Sequence, residues 1–214
     1  MVVRSLDKKK DVFRPKEKNE EALSPEVPYL SAIGALMYLV NNTGPDIAFS
    51  VNLLARHSSA PTRRHWYGVK HIFRYLRSTT NMGLFYSNKS KAVLTGYGDA
   101  GYLSHPDKAQ SQTGYLFTYG DTAISWRSVK QSLLATSSNH AEILAIHEDS
   151  RECLWLRSIC QHIRESCGMN YDRKISTIMF EDNTACMEQL KKGYIKYDNT
   201  KHVSPSFASH MIFK

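Results

Sequence analysis

The sequence has no long apolar run and no apolar segment at its N-terminus. Its longest apolar run is the 12-residue stretch from Tyr29 to Val40, whereas a membrane-spanning helix needs about 20 residues. The first 18 residues interrupt their few apolar side chains with charged ones, so they lack the apolar core of a secretory signal. These absences predict a soluble, intracellular globular protein with no membrane partner.

Cysteine is scarce, and the spacing of the cysteines does not indicate a disulfide framework. The chain of 214 residues has four cysteines and no C-x-x-C pair. Cys153, Cys160 and Cys167 are spaced seven apart on a predicted helix, so they share one face and cannot pair with one another. The pattern therefore predicts reduced thiols in or near a core, and it gives little support to a structural zinc site.

Acidic residues are fewer than basic ones. The chain has 20 Asp and Glu against 28 Lys and Arg, which gives a formal net charge of +8. That excess indicates a polyanionic partner, although it says nothing about the fold. The contents of 42% hydrophobic and 22% charged residues are those of a globular protein, so wholesale disorder is not expected.

Charge and periodicity divide the chain into three segments. Residues 1–23 mix both charge signs without a helical or strand period, and we interpret them as a charged tail or linker. Residues 24–86 carry helical patterns and predict a helical region. In residues 91–214 the pattern changes to short extended segments, a long helix, a further strand and a short helix.

The last helix of the 24–86 region begins after Thr62, which predicts an N-cap. Its apolar stripe is predicted to be Trp66, Val69, Phe73 and Leu76. A second face is entirely cationic and comprises Arg63, Lys70, Arg74 and Arg77. This face is either an ordinary solvated surface or a row of phosphate contacts, and the net charge slightly favours phosphate contacts.

The order of elements in 91–214 predicts an α/β fold. The three strands are expected at Ala92 to Asp99, Thr113 to Tyr119 and Thr122 to Arg127, as an antiparallel meander. The long helix is expected from Ser137 or Ser138 to about Glu165, the fourth strand from Ile175 to Glu181 and the short helix from Asn183 to Lys192. A strand that follows a crossover helix pairs parallel with an earlier strand, so the sheet is predicted to be mixed.

Three acids are expected to meet at one edge of this sheet. Asp99 closes the first strand and Asp182 follows the fourth, while Glu142 lies in the first turn of the long helix. The carboxyl ends of neighbouring parallel strands form the edge where α/β sheets bind ligands. Converging carboxylates repel one another unless a cation is present, and hard oxygen ligands suit Mg²⁺ or Mn²⁺. A basic protein with such a site indicates phosphodiester chemistry; scattered surface acids are the alternative.

Several segments of this region resemble a known family. They are TGYGDAGYLS (95–104), SQTGYLF (111–117), AISWRSVKQ (123–131), SSNHAEILAI (137–146), CLWLRSI (153–159), IMFEDNTAC (178–186) and TKH (200–202). Together they resemble the ribonuclease H region of copia-type LTR-retrotransposon Pol polyproteins, in particular those of plant elements. Upstream, the stretch from Pro28 to Trp66 resembles the connection region that follows the reverse transcriptase there.

The resemblance implies a ribonuclease H-like fold and a metal-dependent hydrolase that cleaves the RNA strand of an RNA–DNA hybrid during reverse transcription. The family's metal ligands fall on Asp99, Glu142 and Asp182, and two ions about 4 Å apart are expected. Arg127 and Lys130 are candidates for contacting the hybrid. A reverse transcriptase in the parent polyprotein is the implied protein partner. The implied location is the cytoplasm or a virus-like particle, with the nucleus as an alternative.

Departures from the family pattern favour a weakened enzyme. The family has a fifth strand and a fourth acid downstream of the TKH segment, and both are expected to be missing before Lys214. Gly44 and Gly98 stand where the pattern usually has arginine and alanine. We therefore expect weak or absent catalysis. One alternative is a non-catalytic, nucleic-acid-binding remnant of a polyprotein, and another is a chain that does not fold stably.

Overall fold

The computed structural model describes two compact units. The described residues are 11, 13–87, 93–105, 108–169, 176–191 and 211–213. Unit 1 comprises residues 1–85 and 103–110, and unit 2 comprises residues 86–102 and 111–214. The domain boundaries expected from the sequence stay predictions. The expected strand start at Ile175, the helix end at Lys192 and the TKH segment lie outside the described residues.

Unit 1 is built from helices that pack through small and branched apolar side chains. Its elements are α1 (Tyr29–Asn42), a 3-10 turn (Pro45–Ile47), α2 (Ala48–Ala55) and α3 (Arg63–Ser78). Leu36, Val51 and Val69, one from each α-helix, are completely buried. The hydroxyl of Tyr29 donates a hydrogen bond to the Leu54 carbonyl over 2.8 Å, which fixes α1 against α2. The helical pattern predicted for this region is confirmed.

Helix α3 begins at the predicted cap but buries a different face. The Thr62 backbone N–H donates to His65 Nδ1 over 3.1 Å, which closes a capping box. The buried face is His65, Gly68, Val69 and Ile72. The prediction that Phe73 is buried is wrong, since its side chain is 40% exposed. Gly68 explains the shift, because a Cβ there would lie 2.9 Å from Leu54 Cδ2, so α2 and α3 approach closely at this glycine.

The described part of the charged segment before α1 contacts α3. Glu20 accepts two hydrogen bonds from Arg64, over 2.7 Å from Nε and 2.6 Å from Nη2. This bidentate pair lowers the pKa of Glu20 to about 2, although partial desolvation acts in the opposite direction and raises it. Ala22 forms an isolated antiparallel bridge with Thr62. The described part of the segment therefore packs on unit 1.

Unit 2 contains most of a five-stranded mixed sheet, of which residues 103–105 and 110 belong to unit 1. Its strands are β1 (Leu94–His105), β2 (Gln110–Tyr119), β3 (Thr122–Lys130), β4 (Thr177–Phe180) and β5 (Met211–Phe213), in the spatial order β3-β2-β1-β4-β5. Strands β2 and β3 pair antiparallel, whereas β4 pairs parallel with both β1 and β5. The predicted α/β fold with a mixed sheet and a parallel fourth strand is confirmed.

The expectation that the fifth strand is missing is wrong. Met211–Phe213 forms β5, with Thr177 opposite Met211 and Met179 opposite Phe213. Three residues are too few to display the alternating pattern by which a strand is recognised in a sequence. The hydrogen-bonding groups on the free edge of β4 set this pairing instead.

The long helix α4 (Ser138–Ser166) packs on this sheet, and the short helix α5 (Thr184–Lys191) follows β4. One core cluster joins the later turns of α4 to the sheet and comprises Leu94, Phe117, Cys153, Leu156, Met179 and Met211. A second cluster contains only alanines and joins Ala100 of β1 to Ala141 and Ala145 of α4. Such small side chains let the first turns of the helix lie close to β1.

The cysteines and the helix lengths agree with the sequence pattern among the described residues. All four cysteines are free thiols, and Cys153 and Cys186 are buried. Within the described part of the chain, the helices are too short or too polar to cross a bilayer.

Candidate metal centre

Strand register and helix position bring the three predicted acids together. Tyr97 of β1 pairs with Phe180 of β4, and Asp99 and Asp182 each lie two residues beyond that pair. Glu142 comes from the beginning of α4. One ligand oxygen from each of the three carboxyl groups lies within 4.8 Å of the others. The arrangement agrees with the expected site, and the role of these acids as metal ligands stays a prediction.

The three acids differ in exposure. Asp99 and Asp182 are exposed, whereas Glu142 is buried. Desolvation, followed by the charges of Glu181, Asp99 and Asp182, raises the pKa of Glu142 to about 8, although a backbone hydrogen bond from Ala100 opposes the shift. Desolvation and the charge of Asp182 also raise the pKa of Asp99. Without a cation, Glu142 therefore holds a proton near neutral pH.

Two further acids lie next to these three, and the sequence reasoning missed both. Glu181 precedes Asp182 and is 7% exposed, while Asp149 on α4 is completely buried. Desolvation raises the pKa of Glu181 to about 7, even though its Oε1 accepts a hydrogen bond from the Asn183 backbone over 3.1 Å. Desolvation and the charge of Glu181 raise the pKa of Asp149 well above its usual range. The available signal was the spacing of seven between Glu142 and Asp149, which places both on one face of α4.

The donor set fits a hard divalent cation. Every candidate ligand atom is a carboxylate oxygen, which is the ligand type that Mg²⁺ and Mn²⁺ prefer. The buried Oε2 of Glu142 has no hydrogen-bond partner among the described residues. A buried carboxylate oxygen without a donor is costly, and a bound cation would remove that cost. Asp99, Glu142 and Asp182 are therefore the residues that would hold such an ion.

The start of α4 is fixed by two polar side chains. Ser137 Oγ accepts a hydrogen bond from the His140 backbone over 3.1 Å, so Ser137 is the N-cap. The buried Gln131 side chain donates to the Ala141 carbonyl over 2.9 Å and to Thr113 Oγ1 over 3.1 Å. Through Gln131, these bonds hold the first turn of α4, which contains Glu142, against β2 and the C-terminal end of β3. The sequence left this cap open between Ser137 and Ser138, and it gave no indication of Gln131, because a polar residue after a strand carries no distinctive pattern.

Arg127 and Lys130 line one groove of unit 2. The groove has a volume of about 350 Å³ between β3 and α4, and Gln131, His147 and Glu148 also line it. Arg127 is 52% exposed and lies 3.7 Å from the Glu148 carboxylate, so part of its charge is already compensated. The predicted contact of Arg127 and Lys130 with nucleic acid remains a prediction.

The other predicted cations lie on α3 of unit 1. Arg63, Arg74 and Arg77 are exposed, and Arg63 has a weak surface pair with Glu21 at 3.9 Å. The ammonium of Lys70 lies 5.8 Å from the ring centroid of Trp66 and 5.3 Å from that of Tyr67. The exposed guanidinium groups are accessible to phosphate, but their role also remains a prediction.

Comparison with known proteins gave relatives in sequence. No family model matches the chain. The chain is 42% identical over 130 residues to secreted RxLR effector protein 161 of Plasmopara viticola, with 61% of this chain and 92% of that protein covered. It is 36% identical over 189 residues to the retrovirus-related Pol polyprotein from transposon TNT 1-94 of Nicotiana tabacum. That match covers 88% of this chain but 14% of the polyprotein.

One solved structure matches part of the chain at low similarity. LC11-RNase H1, isolated from compost by a metagenomic approach, matches 58% of this chain and 84% of its own, with 16% identity and a TM-score of 0.36. The fold assignment depends on the strand order β3-β2-β1-β4-β5 of the sheet. In sequence, the chain is therefore a relative of the retrovirus-related Pol polyproteins of transposons, of whose length it spans a small part.

Proposed function

We propose that unit 2 is a ribonuclease H-type endonuclease from a copia-type retrotransposon, which cleaves the RNA strand of RNA–DNA hybrids. The convergence of Asp99, Glu142 and Asp182 within 4.8 Å supports this function most directly. Similarity to Pol polyproteins supports the same substrate, because reverse transcription generates such hybrids. The net charge of +8 suits a polyanionic substrate.

In this proposal the chain's own residues hold and orient the reacting groups. Asp99 and Asp182 are exposed, so they face the solvent from which a phosphodiester can approach, and Glu142 closes the inner side of the site. Two bound Mg²⁺ or Mn²⁺ ions would supply an activated water and charge stabilisation at the phosphate. Glu142 must lose its proton before it can act as a ligand, since its pKa is about 8. The Ser137 cap and Gln131 keep its helix in place.

The proposed partners follow from the same substrate. Hybrid recognition would use backbone phosphates and the RNA 2′-hydroxyl groups, not base sequence. Arg127 and Lys130 in unit 2, and Arg63, Lys70, Arg74 and Arg77 in unit 1, are the candidate phosphate contacts. A reverse transcriptase from the parent polyprotein is the proposed protein partner. The proposed location is the cytoplasm or a virus-like particle, with the nucleus as the alternative.

Cleavage of a labelled RNA–DNA hybrid tests this function. We expect metal-dependent cleavage of the RNA strand that Asp99→Asn abolishes. Asp121→Asn is a matched control, since Asp121 is an exposed acid at the turn between β2 and β3. Metal-independent cleavage, or cleavage that survives Asp99→Asn, would contradict the proposed site.

The second candidate is a non-catalytic nucleic-acid-binding protein. The exposed Arg63, Arg74 and Arg77 on α3 favour it, because phosphate contacts there need neither the three acids nor a metal. Metal dependence distinguishes the nuclease from the nucleic-acid-binding protein. A binding protein retains hybrid affinity in chelator and loses it steeply with salt, whereas the nuclease needs both the carboxylates and the divalent ion for turnover.

A further inference from the structure

Strand β1 lies so close to the Asp149 side chain of α4 at Gly98 that a side chain at position 98 would not fit without a shift. A Cβ on Gly98 would overlap Oδ2 of Asp149, and it would lie 3.3 Å from Asp149 Cγ and 3.8 Å from Glu181 Oε2. Contacts closer than 3.0 Å are essentially never seen for a real Cβ. The Asp149 carboxyl therefore occupies the space that a side chain at position 98 would need.

Asp149 is unusual for a carboxyl group in a helix that packs on a sheet. Its side chain is completely buried, and neither Oδ1 nor Oδ2 has a hydrogen-bond partner among the described residues. Burial without a partner is costly for a carboxyl group, so this side chain contributes through the volume that it fills and not through a hydrogen bond. The neighbouring acids that face it are Glu181, Glu148, Glu142 and Asp99.

The position of this contact relates it to the three-acid site. Gly98 directly precedes Asp99, and Asp149 lies two helical turns after Glu142 on α4. Next to the contact, Ala100 of β1 packs against Ala141 and Ala145 of the same helix. A close-packed interior transmits a change in spacing, so a shift between β1 and α4 at Gly98 would also move Asp99 relative to Glu142.

We propose that Gly98 and Asp149 form a coupled pair that sets the spacing between β1 and α4 and thereby positions Asp99 against Glu142. Asp149 is a positioning residue in this pair and does not need to bind the ion. Gly98 leaves space between β1 and α4, and the Asp149 carboxyl fills that space. The resulting spacing keeps the three ligand oxygens within 4.8 Å of one another. The positioning role rests on the proposed metal site.

A mutant cycle with two readouts tests the pair. The variants are Gly98→Ala, Asp149→Ala, the double variant Gly98→Ala/Asp149→Ala, and a matched double variant Gly98→Ala/Asp149→Asn in which an amide retains the carboxyl's shape. The readouts are the Tm of the whole metal-free chain and the Mn²⁺ dissociation constant. The second is measured by calorimetry on folded protein well below Tm, so that general stability does not determine it.

Gly98→Ala alone is expected to lower Tm and to weaken Mn²⁺ binding about tenfold or more, as loss of a supporting residue does. Gly98→Ala/Asp149→Ala is expected to recover most of both losses, because the methyl group then has room. Gly98→Ala/Asp149→Asn is expected to stay impaired, because the amide fills the same space. If Gly98→Ala does not fold, its rescue by Asp149→Ala gives the same support.

Three results would overturn the inference. Additive effects of the two alanine substitutions on Tm and on Mn²⁺ binding would show that the positions are independent. Recovery by Asp149→Asn as well as by Asp149→Ala would show that charge matters and not volume. Failure of both Gly98→Ala and Gly98→Ala/Asp149→Ala to fold would exclude the rescue. If the wild-type chain binds no Mn²⁺, the proposed metal site and the positioning role fail, while Tm separately reports whether the two positions are coupled.

Discussion

At the scale of single residues, ionisation of the buried Glu142 lowers the free energy of unfolding of the metal-free protein. Glu142 has a pKa of about 8 in the folded protein, against an ordinary value of 4.5. An acid whose folded pKa is raised destabilises the fold progressively as pH increases between those two values. At pH 8 the metal-free protein therefore bears a cost that is absent at pH 4.5.

Glu142→Gln is expected to remove this cost, because the amide has nearly the same shape and does not ionise. We expect the substitution to raise the Tm of the metal-free chain at pH 8 by several degrees and to change it little at pH 5. Glu165→Gln is the control, since Glu165 lies at the exposed end of the same helix. A Tm difference that is equal at both pH values would contradict the assigned pKa shift.

His65 predicts the opposite pH dependence for unit 1. Its Nδ1 accepts a hydrogen bond from the Thr62 backbone, so its Nε2 carries the proton and donates to the Arg14 carbonyl over 3.1 Å. Its ring also stacks on His57 at 4.0 Å. Desolvation lowers the pKa of His65 below the ordinary value of 6.5, so the folded state binds this proton less readily than the unfolded state.

Unit 1 is therefore expected to lose stability as pH falls below 6.5. Amide hydrogen exchange of α3 between pH 7 and pH 5, corrected for intrinsic rates, measures this loss. His65→Gln should flatten the pH dependence, whereas His71→Gln, at an exposed position of the same helix, should leave it unchanged. A pH dependence that persists in His65→Gln would assign it to another group.

At the scale of elements, the N-cap of α4 can be assigned to one of two adjacent serines. The sequence left Ser137 and Ser138 open, and the structure shows the Ser137 hydroxyl accepting from the His140 backbone. Ser137→Ala is expected to cost about 1 kcal/mol of stability, the usual contribution of a cap. Ser138→Ala is the matched control, because its side chain is exposed in the first turn. Equal losses in chemical denaturation would contradict the assigned cap.

The elements also show what the sequence could and could not predict. The convergence of Asp99, Glu142 and Asp182 was predictable from the helix start and the family motifs. The expected strand end at Asp99 is wrong, because β1 runs from Leu94 to His105 and Asp99 lies within it. The buried face of α3 was not, because Gly68 and His65 carry little hydrophobic signal although a close helix contact buries both. The short strand β5 was not either, because its pairing depends on β4 and not on its own three residues.

At the scale of the whole molecule, the departures from the family pattern were visible but their meaning was not. Gly98 was identified as a departure, yet the sequence does not show that its missing Cβ lies against Asp149. Glu181 and Asp149 were not selected as site residues, because isolated acids are ordinarily on the surface. Burial is a property of the assembled fold, so only the packing of α4 on the sheet reveals five neighbouring acids.

The excess of positive charge gives the last prediction. If the α3 face contacts phosphate, Arg74→Ala/Arg77→Ala is expected to weaken hybrid binding in chelator and to reduce the salt dependence of log K by about 0.9 per lost contact. Lys16→Ala/Lys18→Ala removes the same charge from exposed positions of unit 1 and serves as the control. Binding measured across a salt series distinguishes them. Equal effects of both variants would show that net charge alone attracts the hybrid and that α3 is an ordinary solvated face.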